Sequence, residues 1–382
     1  MNVPLPKGAS DRLRLVVYRP ALEVGGAEKL TVTLLRHISR TRFEPILVLR
    51  RRTGVWLRDV PADVPILSLQ SAPVRTAWIR LARLLRELRP QVVLSMSSGG
   101  NLTAVLARVF SGLDRCGLIL VEANTFSHVR RLLPRWLPVT FLKSVLYRRA
   151  DRVIAYSHGV AEDLMASVRL PGGLVDVVAT PVVDETLEEL AAQPLDHPWF
   201  GDKYPVLLSV GRLADQKDFP TLLRAFARLR QGLVLRMVIL GEGERRGDLE
   251  MLAASLGVAD DVQFPGFVAN PYQFMRRCSV FVLSSQYEGM PTVLVEAMAC
   301  GAPVVSTDCP SGPREVVHDG VNGYLVPVGD EASLAVAVER LLQNERLRDD
   351  FIAKGKSTVA RFSAREVVKR YEGIVDRVAH CS

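Results

Sequence analysis

The stretch that decides the fold is SVFVLSSQYEGMPTVLVEAMACG, residues 279–301. A short apolar run at 279–283 leads through a loop into an apolar helix, the order found in each repeat of a parallel α/β sheet. Pro291 at the first helical position and Gly301 just past the last turn predict a helix of about ten residues. At the start of that helix, the N–H groups of Thr292 and Val293 are expected to be open to phosphate.

Similar β-branched runs recur along the chain, each followed by a segment of helical period. They fall at 13–18, 45–49, 92–95, 118–121 and 153–155, and again at 206–210, 234–240 and 303–306. Strands of this kind alternating with helices predict parallel sheets wound on both faces. Two sets of runs therefore predict two doubly wound domains.

Proline and acidic residues mark the connection between the two sets. Residues 184–205 hold three prolines and a local acidic cluster, as expected of an interdomain linker. The predicted organisation is an N-terminal Rossmann-like domain at 1–183, the linker at 184–205 and a second domain at 206–362. A terminal helix at 363–382 is able to pack back on the N-terminal domain.

The composition is that of a globular chain. Hydrophobic residues make up 48% of the 382 residues and charged residues 24%, which excludes a disordered chain. No apolar run reaches 18 residues and the first ten residues lack a signal-peptide core, so no transmembrane or secretory segment is expected. Five cysteines without C-x-x-C spacing favour neither a disulfide framework nor a zinc site, and a cytoplasmic location is expected.

The charge is unevenly spread. The net charge of +8 combines +16 in residues 1–152, with 26 basic and 10 acidic residues, and −8 in residues 153–382, with 23 and 31. A basic half indicates an anionic partner, and since no recognised nucleic-acid-binding module is present, no nucleic acid is expected. Residues 78–89 repeat arginine every three positions, the pattern of a solvated stripe on a core-facing helix. Residues 130–149 mix cations with Trp, Phe and Leu, which predicts contact with an anionic membrane surface or a lipid-linked acceptor.

Two loops carry groups that suit a diphosphate. Gly25 and Gly26 start a helix and leave N–H groups open to an anion. Arg212 and Lys217 lie directly after the strand at 206–210, at the carboxyl edge where parallel sheets bind ligands.

The loop and helix at 284–301 carry two carboxylates that suit sugars. Glu288 lies in the loop, and Glu296 lies in the helix on the same face as Thr292. A carboxylate accepts hydrogen bonds from adjacent hydroxyl groups, so each is expected to bind one sugar.

Together these segments resemble the retaining GT-B glycosyltransferases of the nucleotide-sugar-dependent family four. The match rests on Gly211-Arg212 with Gln216-Lys217, Gly241-Glu242-Gly243, the VQFPGF segment at 262–267, and Glu288 and Glu296 at the E-x7-E spacing. It extends through 303–308 and 319–323, and more loosely into 25–28 and 150–157. The resemblance implies an α/β GT-B fold of two doubly wound Rossmann-like domains facing a central cleft.

The resemblance also implies the reaction. A hexosyl or N-acetylhexosaminyl group would pass from a nucleotide diphosphate sugar, with UDP as the expected nucleotide, to a lipid-linked or polysaccharide acceptor with retention of configuration. The products would serve cell-envelope or exopolysaccharide synthesis, with the enzyme peripheral on the inner face of the cytoplasmic membrane. No cofactor and no metal is expected.

Site residues carry over position by position. Arg212 and Lys217 resemble the diphosphate ligands, Glu288 the donor-sugar contact and Glu296 the ribose ligand. The implied catalytic residues are Glu288, Arg212, Lys217 and His128. The implied donor-binding residues are Gly25, Gly26, Gly211, Gly243, Phe264, Phe267, Gly289, Met290, Pro291, Thr292 and Glu296.

Several alternatives stay open. Glu122, Asn124 and His128 are all candidates to contact sugar hydroxyls or the acceptor, and His128 is equally a candidate surface residue. A nucleotide-sugar epimerase or hydrolase would use the same fold. A dinucleotide-dependent oxidoreductase is also considered because Gly241-x-Gly243 follows a strand, although Arg246 replaces the last glycine of the full motif.

Overall fold

The computed structural model describes residues 12–23, 25–127, 139–201 and 204–381. The chain forms two compact units, one of Met1–Pro181 with Ala364–Ser382 and one of Val182–Ser363. Among the described residues, no helix joins enough length to enough apolar character to cross a bilayer.

The first unit is built on a seven-stranded parallel sheet in the order β3-β2-β1-β4-β5-β6-β7. Its strands are β1 Leu13–Arg19, β2 Phe43–Leu49, β3 Ile66–Ser68, β4 Val92–Ser95, β5 Gly117–Glu122, β6 Arg152–Ala155 and β7 Val175–Val177. Its described helices include α1 Gly26–His37, α2 Ala77–Leu88, α3 Ser98–Ser111, α4 Val139–Tyr147 and α5 His158–Ser167. Every residue of β4 and β5 is buried, as expected of central strands covered on both faces.

The second unit is built on a six-stranded parallel sheet in the order β10-β9-β8-β11-β12-β13. Its strands are β8 Val206–Val210, β9 Arg236–Leu240, β10 Val262–Gly266, β11 Val280–Leu283, β12 Val304–Thr307 and β13 Tyr324–Val326. Its helices include α6 Glu185–Ala192, α7 Phe219–Arg230, α8 Arg246–Ser255, α9 Tyr272–Met275, α10 Thr292–Ala299, α11 Pro313–Val316, α12 Glu331–Gln343 and α13 Glu345–Val359.

Residues 184–205, expected as a linker, form part of the second unit instead. Asp184 caps α6 by accepting a hydrogen bond from the Leu187 N–H at 3.0 Å. Trp199 is buried beneath the Arg236 guanidinium, 4.7 Å from its ring centre. The acidic residues of this segment therefore cap and begin a packed helix, and its prolines follow that helix.

The last helix, α14 Ala364–Cys381, groups with the first unit. Its Glu372 is buried and accepts hydrogen bonds from the Ser39 N–H at 2.7 Å and from Arg42 at 2.9 Å. These bonds attach α14 to the end of α1 and the start of β2.

Candidate functional site

The carboxyl ends of β8 and β11 bring Lys217 and Glu288 into contact. The Lys217 ammonium lies 2.6 Å from Glu288 Oε1, and the Ser285 hydroxyl donates to the same oxygen at 2.8 Å. Glu288 is 7% exposed and Ser285 is fully buried, so the carboxylate is held in one place. A cation suited to phosphate and a carboxylate suited to sugar hydroxyls thus share one edge of the sheet.

The loops that carry this pair are bound to each other. The Ser284 hydroxyl donates to the Lys217 carbonyl oxygen at 2.7 Å, and the Gln216 side chain donates to the Tyr287 carbonyl oxygen at 3.0 Å. The Gln286 N–H donates to the Gln216 carbonyl oxygen at 2.9 Å. These bonds fix the two loops before any ligand arrives.

Arg212 lies in the same loop as Lys217 but is not engaged. It is exposed, and its guanidinium makes no ion pair or hydrogen bond with the residues that the structure describes. The neighbouring Asp215 pairs with Arg245 at 2.7 Å, and this hydrogen bond lowers the pKa of Asp215. Arg212 is therefore a cation available to an anionic ligand.

Close backbone approaches require glycine at positions 241 and 243, whereas Gly211 lies against the Lys217 side chain. A Cβ on Gly243 would lie 2.3 Å from the Leu213 carbonyl oxygen, and one on Gly211 would lie 2.9 Å from Lys217 Cε. Gly241 has φ +142°, and a Cβ there would lie 1.9 Å from the Gly211 carbonyl oxygen. The Gly241-x-Gly243 pattern is thus explained by packing between the ends of β8 and β9, without a dinucleotide.

Glu296 is held by a tyrosine that the sequence analysis missed. It lies in α10, is 8% exposed, and accepts a hydrogen bond from the Tyr272 hydroxyl at 2.8 Å. Tyr272 follows an Asn-Pro pair, which marks a turn and gives no sign of a ligand-binding role.

The start of α10 differs from the expectation. Pro291 is the N-cap rather than the first helical residue, and the Thr292 N–H donates to the Met290 carbonyl oxygen at 2.9 Å. The expectation that the Thr292 N–H is open to phosphate was therefore wrong, because this tight turn satisfies it internally. The preceding Gly289 carbonyl oxygen accepts from the Ser311 hydroxyl at 3.2 Å.

A buried thiol lies beside the Lys217–Glu288 pair. Burial, and next the Glu288 carboxylate, raise the pKa of Cys309 to about 12, with Lys217 acting in the opposite sense. The thiol is therefore neutral at physiological pH and is not an activated nucleophile.

The two phenylalanines expected at the edge for the base differ in exposure. Phe264 is partly buried against the core of the second unit, and its carbonyl oxygen accepts from Arg246 at 2.6 Å. Phe267 is 44% exposed. Phe267 is the one whose ring is accessible to a stacking partner.

In the first unit, Glu122 is enclosed by protein. It is 1% exposed and accepts from Ser98 at 2.5 Å, from Asn101 at 3.1 Å and from the Tyr147 hydroxyl, while the Lys143 ammonium lies 2.9 Å away. The candidate role of Glu122 as a contact for sugar hydroxyls or the acceptor is contradicted, since four protein groups occupy its carboxylate. Asn124 is exposed, and His128 lies outside the described residues.

For Lys143, the structure contradicts the expectation that residues 130–149 present their cations to a membrane surface or a lipid-linked acceptor. Its ammonium lies 4.6 Å from the ring centre of Phe126 and 4.8 Å from that of Tyr147, and the residue is 7% exposed. It is therefore a buried partner of Glu122 and not a cation offered to a membrane. Residues 130–138 lie outside the described residues.

Gly25 and Gly26 begin α1, as expected. Gly25 is the N-cap, and a Cβ there would lie 2.3 Å from Glu28 Oε2. Glu28 in turn pairs with Arg19 at the end of β1, at 2.5 Å. Elsewhere in the described part of the chain, as here, no group of three His, Cys, Asp or Glu side chains is arranged to hold a metal ion.

Comparison with known proteins identifies the family of the chain. Residues 197–358 match the family model for glycosyl transferases group 1, and residues 24–186 match that for glycosyltransferase family 4. The chain is 30% identical over 371 residues to a Campylobacter jejuni enzyme named N-acetylgalactosamine-N,N'-diacetylbacillosaminyl-diphospho-undecaprenol 4-alpha-N-acetylgalactosaminyltransferase, covering 94% of this chain and 98% of that one. It is 28% identical to a lipopolysaccharide core biosynthesis glycosyltransferase of Rhizobium meliloti, covering 91% and 94%.

A solved structure shows the same fold. The Anabaena protein HepE, crystallised with UDP, aligns with a TM-score of 0.77 at 19% identity and covers 96% of this chain and 100% of its own. Two Rossmann-like domains, each on a parallel sheet, are the GT-B architecture expected from the sequence. The chain therefore belongs to the group 1 and family 4 glycosyltransferases and is a GT-B glycosyltransferase.

Proposed function

We propose that this glycosyltransferase moves a hexosyl or N-acetylhexosaminyl group from a UDP-sugar to a lipid-linked or polysaccharide acceptor, with retention of configuration. The observation that carries the proposal is the 2.6 Å contact between Lys217 and Glu288. In a nucleotide sugar the phosphate and the sugar hydroxyls are separated by a few bonds. A cation and a carboxylate in contact therefore match the two sides of the bond that must break.

Each charged group has a distinct role in the proposed reaction. As the bond between sugar and diphosphate breaks, negative charge collects on the leaving phosphate, and Lys217 and Arg212 stabilise it. Glu288, held by Ser285, accepts hydrogen bonds from the donor sugar. Glu296, held by Tyr272, accepts hydrogen bonds from the nucleotide ribose. No step assigned to these residues uses a metal ion.

Retention is proposed to proceed by departure of the diphosphate and attack of the acceptor on the same face of the sugar. The bond between the anomeric carbon and the diphosphate oxygen breaks, the acceptor oxygen bonds to that carbon, and the hydroxyl proton of the acceptor passes to the departing diphosphate. Such a course needs no covalent intermediate on the protein. It fits the neutral state of the Cys309 thiol and the use of Glu288 as a sugar ligand held by Lys217 and Ser285.

The donor and acceptor classes are supported by the relatives. HepE was crystallised with UDP, the Campylobacter relative is named for a diphospho-undecaprenol substrate, and the Rhizobium relative for lipopolysaccharide core synthesis. We propose UDP as the nucleotide, a lipid-linked or envelope glycan as the acceptor, and a peripheral location on the inner face of the cytoplasmic membrane.

The described end of residues 130–149 supports a membrane contact. On α4, Phe141 is 72% exposed, Leu142 and Val145 are also exposed, and the exposed Arg148 and Arg149 follow. Apolar side chains flanked by cations suit the boundary of an anionic bilayer. The protein should sediment with phosphatidylglycerol vesicles at low salt, and the Arg148→Glu/Arg149→Glu variant should not. Equal sedimentation of the two proteins would exclude this surface.

The function is tested with a panel of UDP- and GDP-sugars and a membrane extract as acceptor. Nucleotide release that depends on the acceptor identifies a transferase, whereas release without acceptor identifies a hydrolase. Lys217→Met should lower kcat by about a hundredfold, since it removes one charge stabiliser. Lys354→Met, which breaks an exposed pair with Asp350, is the matched control and should leave kcat unchanged.

The anomeric configuration of the product, measured by NMR, tests retention. An inverted product would refute that part of the proposal. Activity that survives chelation by EDTA is expected, and loss that is restored by a divalent cation would refute metal independence.

A further inference from the structure

A buried arginine lies beneath the glycine turn, which comprises Gly25 and Gly26. Arg19 ends β1, is 4% exposed, and pairs with Glu28 at 2.5 Å. Its guanidinium also donates to the Thr31 hydroxyl at 3.0 Å and to the Met96 carbonyl oxygen at 2.6 Å. The cation is thus fixed by groups from α1 and from the end of β4.

Glu28 lies where an anion is expected to bind. It is in the first turn of α1, and its Oε2 would be 2.3 Å from a Cβ on Gly25. The N–H groups at the start of a helix attract anions, and a carboxylate among them both competes with and repels a phosphate. A glycine turn that accepts a phosphate therefore requires that the charge of Glu28 be neutralised and its side chain held.

Among the described residues, Glu28 is the carboxylate that pairs with Arg19. The phenol of Tyr156 lies near Arg19 and that of Tyr371 lies beside Tyr156, and burial raises the pKa of both phenols, so they are neutral. Arg19 Nε is buried without an acceptor among the described groups. Exclusion of water strengthens the Arg19–Glu28 attraction relative to an exposed pair.

We infer that Arg19 is a positioning residue for the glycine turn, which neutralises and holds Glu28 so that the turn accepts the diphosphate of the donor. Arg19 acts through Glu28 and does not itself touch the donor. The inference rests on the proposed function, since it takes a nucleotide diphosphate as the ligand of the turn.

The test measures UDP binding by calorimetry on the full chain at 20 mM and 300 mM NaCl. Arg19→Met should weaken binding at least about tenfold at low salt, because Glu28 is left uncompensated. Raising the salt should remove most of that loss by screening the repulsion. Adding Glu28→Gln to Arg19→Met should restore binding to within about threefold of the wild type.

Arg14 provides a matched control on the same strand. Arg14 lies at the start of β1, whereas Arg19 ends that strand, and Arg14 pairs with Glu44 at 3.0 Å. Arg14→Met therefore removes an ion pair that lies away from the glycine turn. Its UDP affinity should equal that of the wild type at both salt concentrations. A general loss of stability would affect both arginine variants and would not be reversed by Glu28→Gln.

Glu28→Gln alone keeps the inference testable if Arg19→Met does not fold. UDP affinity should be unchanged or increased, because a repulsive charge is removed. Weaker binding by Glu28→Gln, or a double variant as weak as Arg19→Met, would overturn the inference. A wild-type protein that binds neither UDP nor GDP would instead refute the proposed function.

Discussion

Replacing Lys143 by methionine should destabilise the first unit strongly. The side chain keeps its length but loses the ammonium that lies 2.9 Å from Glu122, a carboxylate with 1% exposure. Removing one partner of a buried ion pair costs about 3–5 kcal/mol, since the other charge is left without compensation. Glu122 retains hydrogen bonds from Ser98 and Asn101, which places the expected cost near the lower limit, about 3 kcal/mol.

This cost converts to a shift in melting temperature. The first unit comprises about 200 residues, for which 1 kcal/mol corresponds to about 2–4 °C. Lys143→Met should therefore lower the transition of that unit by about 6–12 °C in differential scanning calorimetry. The two units need not melt together, so the transition that moves also identifies the first unit.

An exposed pair on α14 gives the control. Lys369 lies 2.8 Å from Glu366, but both side chains are more than 60% exposed. Lys369→Met should shift the melting temperature by no more than about 2 °C. The Lys143→Met/Glu122→Gln double variant should recover part of the loss, because no charge then stays buried. A shift for Lys143→Met as small as that of the control would refute the reasoning.

Three further predictions concern the second unit. Tyr272→Phe removes the hydroxyl that donates to Glu296, and steady-state kinetics should show a donor KM raised about tenfold with kcat nearly unchanged. A tenfold fall in kcat would contradict the role of Glu296 in binding. Gly243→Ala forces a shift away from the Leu213 carbonyl oxygen and should lower the free energy of unfolding in urea by about 1–3 kcal/mol. Gly247→Ala is the control and should cause no such loss, because the space that its Cβ would occupy is open. Burial lowers the pKa of His197, so the unfolded state takes up a proton first as pH falls through about 6.5, and the stability of the folded state decreases there. His197→Phe should therefore reduce the pH dependence of the melting temperature between pH 8 and pH 5. An unchanged pH dependence would contradict this reasoning.

The strands that the sequence predicted and those it missed differ by position in the sheet. The central strands at 92–95 and 206–210 were predicted to the residue, because continuous apolar runs are typical of strands buried on both faces. The four missed strands, β3, β7, β10 and β13, are the edges of the two sheets. Three of them have only three residues, too few for a periodic pattern, and β10 contains a proline.

The site residues that the sequence predicted and those it missed also differ in how local their signals are. Sequence placed Lys217 and Glu288 at the carboxyl edge, because each follows a recognisable strand, and the structure brings them together. It did not identify Tyr272 or Arg19, whose partners come from other elements. It also left Glu122 as a candidate contact for sugar hydroxyls or the acceptor and included Lys143 in a membrane-contact segment. No local pattern reveals that two charges 21 positions apart meet in the interior.

The helix α14 affects the order in which the protein folds during synthesis. Domains generally fold in the order in which they leave the ribosome. The second unit is contiguous in sequence, so all of it is available once Ser363 has been made. The first unit lacks Glu372, the partner of Ser39 and Arg42, until α14 has also been made. The first unit is therefore begun first and completed last. Until α14 has been made, the surface that it covers on the first unit stays exposed. During that interval the nascent chain is most accessible to chaperones and proteases.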